Sequence, residues 1–404
     1  MYLSDLLTEE DKAIRKLIRE FVDKEIMPNR QKLEEDEELV EEILQKLVDM
    51  DIVRMGFPKE YSGLGADPSP FYHTIFTEEL ARGDAGISVM VGQSAGIHLG
   101  GAIKAGNKAV IDRFVPVFCG DKFVRSCFSM SEPEGGCDIE NTDMQGRTIQ
   151  TIAKLDGDEW VINGSKVWPL NGDNAEMYLT VCTTGPNLGE EGIAIIFVPR
   201  DAPGLSFGKP ERKMGFRTVH NASVYYDDVR VPKGYRLAGP GADAKNYWAG
   251  TAATKVHSAM LSLGVAQGAF EMAVEYTQGR KGGGKFVSQH TIIAGIIAEM
   301  AIKLELSRAA VYNLEWMLHH PEIYGPPFSR EMLSKTNIVK VFTADAAVWI
   351  TNKAMELMGA AGYGQEVGLE KYLRDAKACQ LWLAGQQVSK YDIAKGYYDL
   401  RTVD

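Results

Sequence analysis

CFSMSEPEGGCDI, residues 127–139, is the stretch on which the reading of this chain turns. Its first half alternates apolar and small polar residues as a short strand does; Glu132-Pro133 then turns the chain, and Gly135-Gly136 frees the backbone. A strand ending this way can offer backbone N–H groups and the Ser131 hydroxyl to the polar edge of a ligand. A second stretch, NGSKVWPLNG (163–172), sets Trp168 between two turn signals, where an indole can cover one face of a flat ring. Either stretch alone also reads as ordinary turn structure.

Around these two lie further short alternating runs: RTIQTIAKL, MYLTVCTT, GIAIIFVPR, LSFGKPERKM and NASVYYDDVRVP. Asp156-Gly157-Asp158, Asn163-Gly164 and Gly185-Pro186-Asn187 punctuate them. About seven short strands in one block read as an antiparallel sandwich or barrel. Both flanks are helical. DKAIRKLIREFVDKEIMP sets Ile14, Leu17, Ile18, Phe21 and Val22 at helical spacing before Pro28, and one helix is expected from Ser69 to Val91. Beyond Gly241, periodic stretches cover Tyr247 to Gln278, Ser288 to His319, Arg330 to Met358 and Val388 to Tyr398. The expected class is α+β: an N-terminal helical domain (1–120), a middle antiparallel β-domain (121–238) and a C-terminal helical domain (239–404). No GxGxxG follows a strand, which argues against a dinucleotide site of the Rossmann type.

Composition narrows the partners. The 404 residues carry 44 basic and 55 acidic side chains, a formal charge of −11, which argues against nucleic acid as the main partner. Five scattered cysteines without a CxxC pair suggest reduced thiols and no metal framework. MYLSDLLTEEDKAIRKL mixes charged and apolar residues from its start, unlike a signal peptide, and no apolar run is long enough to span a membrane. A cytoplasmic protein is expected.

Taken in order, the motifs resemble the acyl-CoA dehydrogenase family. FPKEYSGLG (57–65), TEELARGDAGISV (77–89), YDDVRVP (226–232), QGRKGGGKF (278–286), ELMGAAGYGQE (356–366) and LEKYLRDAK (369–377) are similar to its successive motifs, over about residues 8–400. The resemblance implies an N-terminal helical domain, a β-domain and a C-terminal four-helix bundle, with FAD as cofactor and an acyl-CoA substrate. It implies a homotetramer with FAD across an interface, and an electron-transferring flavoprotein as electron acceptor. Phe128, Met130 and Ser131 would run along the isoalloxazine, with Trp168 against the ring and Leu170 near flavin N5. Arg280, with Glu356, Gly359 and Ala360 from a neighbouring subunit, would meet the diphosphate and ribityl chain; Gly385 and Gln387 would face the adenosine. Residues 359–362 also read as a plain helix terminus.

Several positions depart from the family pattern. The usual reaction has a glutamate remove the α-proton while the β-hydride moves to the flavin. Counted from Arg374-Asp375, that glutamate position is Leu383, after Trp382; the alternative position on the long helix is Thr254, followed by Lys255, with Ser258 beyond. Neither is acidic. Leu170 replaces a threonine, Cys137 a serine expected at a CoA phosphate, and Glu356 a glutamine. The backbone N–H of Leu383 could still polarise a thioester carbonyl.

Three readings follow. The chain resembles cyclohex-1-ene-1-carboxyl-CoA dehydrogenases, which lack the glutamate and use an aspartate; Asp84 is then the candidate base, beside a face of Ala81, Ala85, Ser88 and Gly92 with room for a cyclic or bulky acyl group. His98, His257 and His290 are further candidate bases. The second reading is a relative that eliminates sulfite or carbon dioxide. The third is a non-catalytic partner subunit of a mixed assembly.

Overall fold

The computed structural model describes residues 6–65 and 69–400; the first five residues of the N-terminal stretch read above lie outside that range. The chain opens with α1 (Glu9–Phe21), whose start is fixed by a capping box: Asp11 N–H donates to Thr8 Oγ1 at 3.1 Å, and Thr8 N–H donates to Asp11 Oδ2 at 2.9 Å. Helices α2 (Glu37–Asp49), α3 (Tyr72–Gly83), α4 (Ala85–Gly92), α5 (His98–Lys104) and α6 (Lys108–Phe118) complete the first unit.

The helix expected from Ser69 to Val91 is two helices. Asp84 breaks it, extended at φ −149° and ψ 118°, with its carboxylate capping the Ile87 N–H at 2.9 Å. The break undoes the expected face of small residues: Ala81, Ala85 and Ser88 are buried in packing instead.

The strands are β1 (Ser126–Ser129), β2 (Ile152–Asp156), β3 (Glu159–Lys166), β4 (Met177–Thr183), β5 (Ile193–Pro199), β6 (Leu205–Phe207) and β7 (Val224–Pro232). They form one sheet in the order β1-β4-β2-β3-β7-β6, with β5 also paired to β4. Most pairs are antiparallel, as expected, but β1 and β2 both lie parallel to β4, Ser126 opposite Met177 and Ile152 opposite Thr183. β4 is buried along its whole length, Thr180 and Thr183 included, whereas β7 alternates buried and exposed residues over most of its length.

The last unit comprises α7 (Ala242–Gly279), a small hairpin of β8 (Lys281–Gly282) and β9 (Lys285–Phe286), α8 (Thr291–Leu318), the short α9 (Pro321–Tyr324), α10 (Arg330–Met358), the short α11 (Ala360–Tyr363), α12 (Leu369–Leu381) and α13 (Gly385–Lys395). Its bundle does not have a core of its own. Ile18, Ile75 and Leu80 of the first unit pack in the same cluster as Leu261, Val311, Ile350 and Cys379. A second cluster, with Phe114, Phe197 and Trp248, joins α6 and the start of α7 to the sheet.

Candidate active site

A cavity of about 620 Å³ opens where the three units meet. Its β-domain wall is built by tying together the two stretches that the sequence marks. Val167 N–H donates to the Ser131 carbonyl at 2.8 Å, and the Lys166 ammonium donates to the Met130 carbonyl at 2.8 Å. Lys166 is fully buried and also bonds Glu132 Oε1 at 2.8 Å; Glu132 in turn accepts the N–H groups of Gln150 and Thr151. The glutamate of the Glu-Pro turn is thus a structural tie that holds the mouth of the two strands.

Trp168 comes off this tie with φ 64° and remains 54% exposed. A left-handed backbone costs a bulky residue roughly 1–2 kcal/mol, and among the described residues more than half of Trp168 is left uncovered in return. Phe216, Leu383 and Ala384, also in the cavity wall, have φ of 51°, 51° and 64°. Strain gathered around one cavity is the mark of a site shaped for a ligand. An open indole face, the Ser131 hydroxyl and a mostly apolar lining fit a flat aromatic cofactor with one polar edge, so the residues present fit a flavin.

Of the candidates drawn from the sequence, Phe128, Met130, Ser131, Cys137, Trp168, Leu170, Thr254, Trp382, Leu383 and Gly385 line this cavity. Ser258 supports it from behind, accepting the Trp382 indole N–H at 2.5 Å, while the Trp382 ring packs 5.1 Å from Phe216. Lys255 is turned into the interior, 3.7 Å from Asp392. Arg280, Glu356, Gly359, Ala360 and Gln387 are exposed and are not part of the cavity of their own chain. Glu356 pairs locally with Lys353 at 2.6 Å.

Asp84 is the clear correction. It is buried away from the cavity, 3.0 Å from Lys371 and hydrogen-bonded by Thr218 at 2.8 Å. Burial pushes its carboxyl up, but Lys371 and the Ile87 N–H outweigh this and hold it below the usual aspartate value. Lys371 also pairs with Asp375 at 2.7 Å, and Asp375 accepts the Phe216 N–H at 2.7 Å. Asp84 belongs to a buried ionic tie between the three units and is not among the residues lining the cavity.

His98 and His257 do wall the cavity, and burial lowers them to about 4 and about 3. Both are neutral at ordinary pH and weak as bases. A Cβ at Gly92 would stand 2.4 Å from the His257 ring, so that glycine admits the imidazole. His290 is half-buried at the N-cap of α8, bonded to the Gly282 carbonyl of the small hairpin at 2.9 Å and outside the cavity wall.

The residue that the sequence reading passed over is Glu140. It stands in the cavity wall at 5% exposure, one residue beyond the quoted stretch. The signal was present as an acid following Gly-Gly-Cys-Asp-Ile, but nothing local distinguishes it from a surface glutamate.

Family models for the N-terminal, middle and C-terminal domains of acyl-CoA dehydrogenases match residues 8–121, 127–229 and 249–397. A probable acyl-CoA dehydrogenase, FadE25, of Mycobacterium tuberculosis is 30% identical over 384 residues, covering 95% of this chain and 94% of that protein. The mitochondrial short-chain specific acyl-CoA dehydrogenase of Bos taurus is 29% identical, covering 98% and 91%. Butyryl-CoA dehydrogenase from Megasphaera elsdenii superposes with a TM-score of 0.85 at 26% identity, covering 96% of this chain and 98% of that one. A chain from the structural work on the electron transferring flavoprotein of Acidaminococcus fermentans gives 0.85 at 27%, covering 96% and 98%.

Proposed function

The chain belongs to the acyl-CoA dehydrogenase family, and on that premise we propose that it dehydrogenates a cyclic or bulky acyl- or enoyl-CoA with atypical regiochemistry, using FAD. The observation that carries this reading is the turn Trp382-Leu383-Ala384: it reaches the cavity with neither a carboxylate at Leu383 nor one at Thr254 across from it. A cavity that keeps its ring-binding wall but has no acid at either position suits a substrate whose proton leaves from another carbon.

When bound, FAD supplies the acceptor for a hydride. The rest is the work of the chain. Trp168 would lie along one face of the ring, and Ser131 would meet its polar edge through hydroxyl and backbone. Phe128, Met130 and Leu170 exclude water from the reacting atoms, which strengthens every polar contact within. The Leu383 N–H polarises the thioester carbonyl and, through the conjugated double bond of an enoyl thioester, acidifies its γ C–H bonds. Cys137 lies along the acyl-CoA path.

We further propose a homotetramer in which Arg280 and residues 356–362 reach a neighbouring subunit's cofactor. Their exposure on the single chain supports this, as do the uncovered Ile292, Ile302 and Leu306 on α8, which are 74%, 58% and 56% exposed. An electron-transferring flavoprotein is the proposed acceptor of the electrons.

The test is a visible spectrum of the protein purified alone, before and after anaerobic addition of thioesters. Bleaching by cyclohex-1-ene-1-carboxyl-CoA but not by butyryl-CoA is expected. A colourless protein, or one bleached by neither, supports instead a partner subunit that keeps the fold without the chemistry.

A further inference from the structure

We propose that Glu140 is the proton acceptor of this site, a carboxylate supplied by the β-domain in place of the missing one at Leu383. The inference rests on the dehydrogenase reading above and adds the identity of its base.

The geometry is specific. Glu140 Oε1 accepts the Ala384 N–H at 2.7 Å, across 244 residues of chain. That bond fixes the carboxylate beside the turn from which the family's glutamate would project. The second oxygen, Oε2, is buried and has no hydrogen-bond partner among the described residues. A buried acid with one oxygen anchored and the other unmatched is costly unless a ligand group completes it. The turn it grips is itself strained: Leu383, Ala384 and Gly385 are all left-handed, at φ 51°, 64° and 58°. The bond to Glu140 therefore ties the orientation of the acid to that of the Leu383 N–H, the group placed to polarise the substrate carbonyl.

The surroundings favour a competent base. Burial pushes the Glu140 carboxyl above its usual value, against the opposing pull of Lys255, the Ala384 N–H and Lys340, with Asp392 adding to the rise. An acid raised in this way is a stronger proton acceptor than an ordinary glutamate. The cavity histidines, lowered to about 4 and about 3, are weaker. Lys340 donates to the Gly385 carbonyl at 2.8 Å and so braces the same turn from below.

The step balances simply. An acidified C–H of the thioester breaks, its proton passes to Glu140 Oε2, and a second C–H releases hydride to the flavin. The substrate is oxidised by two electrons and the flavin is reduced by two.

Glu140→Gln tests the assignment, because the amide oxygen can still accept the Ala384 N–H while the proton acceptor is gone. Two readouts are taken on the holoenzyme with cyclohex-1-ene-1-carboxyl-CoA: the rate of flavin bleaching, and deuterium uptake into the unreacted thioester from D2O, followed by mass spectrometry. Removal of a general base is expected to slow both by about 10²–10⁴-fold, with unchanged flavin content and melting temperature. Glu140→Asp, which keeps the acid but shortens its reach, is expected to recover part of the exchange. A wild-type protein that bleaches and exchanges, with E140Q matching it in both, removes Glu140 and leaves the dehydrogenase reading intact. A wild-type protein that does neither removes both. Should E140Q fail to fold, E140D exchanging as fast as wild type at every pH would overturn the assignment, since a displaced base must lose rate.

Discussion

Lys371 Nζ stands 3.0 Å from Asp84 and 2.7 Å from Asp375, all three buried, so that a single ammonium joins the first helical unit to α12 and, through Asp375, to the Phe216 backbone. Lys371→Met leaves two buried carboxylates without their cation. Breaking a buried pair this way costs about 3–5 kcal/mol, and urea denaturation is expected to show it. Asp84→Asn is expected to lower the melting temperature yet leave thioester bleaching per folded molecule unchanged; loss of bleaching in a folded D84N would restore Asp84 as a base.

The same pairing sets an acid limit. Asp84 has a folded-state pKa below its unfolded value. Its contribution is therefore complete above the unfolded value, about 4, and is lost as pH falls through the folded one. Denaturant midpoints measured downward from pH 6 should fall, and the D84N protein should show a shallower decline.

Glu315 behaves oppositely. Burial on α8 raises it to about 8. Its folded form binds the extra proton, so stability is greatest below the ordinary glutamate value and falls as pH rises towards about 8. Glu315→Gln is expected to raise the urea midpoint at pH 9 and change it little at pH 4.

Lys166→Met strips Glu132 of its buried partner and loosens the tie between Met130 and Trp168. A destabilisation of about 3–5 kcal/mol is expected, together with loss of flavin during gel filtration. Trp168→Ala should do the reverse in part: the residue is more than half exposed, so the melting temperature moves little, while cofactor affinity falls by roughly tenfold for the loss of one ring contact. Fluorescence titration of the apoprotein with FAD reads the difference.

Leu383→Glu restores a carboxylate at the family position. Desaturation of butyryl-CoA between the first two acyl carbons is expected to appear, at least about 10²-fold above the parent. No such activity in a folded, flavin-loaded variant would show that this turn does not face the thioester.

What the sequence made legible was whatever is written in contiguous signals. The strand block, the two marked stretches and the gathering of Phe128, Ser131 and Trp168 at one cavity wall were all readable from turn chemistry and motif order. Asp84 misled because helical spacing on both sides concealed a one-residue cap; its own cap bond to Ile87 is short-range, but nothing in the spacing distinguishes a capped break from a continuous helix. Glu140 was missed for a different reason. Its meaning comes from the Ala384 N–H, and a partner so distant in sequence leaves no periodic trace. Arg280 and Glu356 lie exposed outside their own chain's cavity; only the assembly proposed above would bring them to a neighbour's site, and the pattern of one chain carries no trace of such an approach.

The mixed core has a consequence for how the chain comes into being. α3 packs on α7 and α8, Arg15 and Arg19 of α1 reach Tyr312 on α8 and Glu271 on α7, and Glu34 waits for Arg374 across 340 residues. During synthesis the first helices must therefore emerge with their apolar faces bare, long before the partners that cover them have been translated. Such sequence-distant closure slows folding and prolongs exposure to aggregation. The β-domain, whose inner cluster is drawn from residues 127–231 alone, can close first on the ribosome. It then serves as the solid insert around which the two ends of the chain later meet.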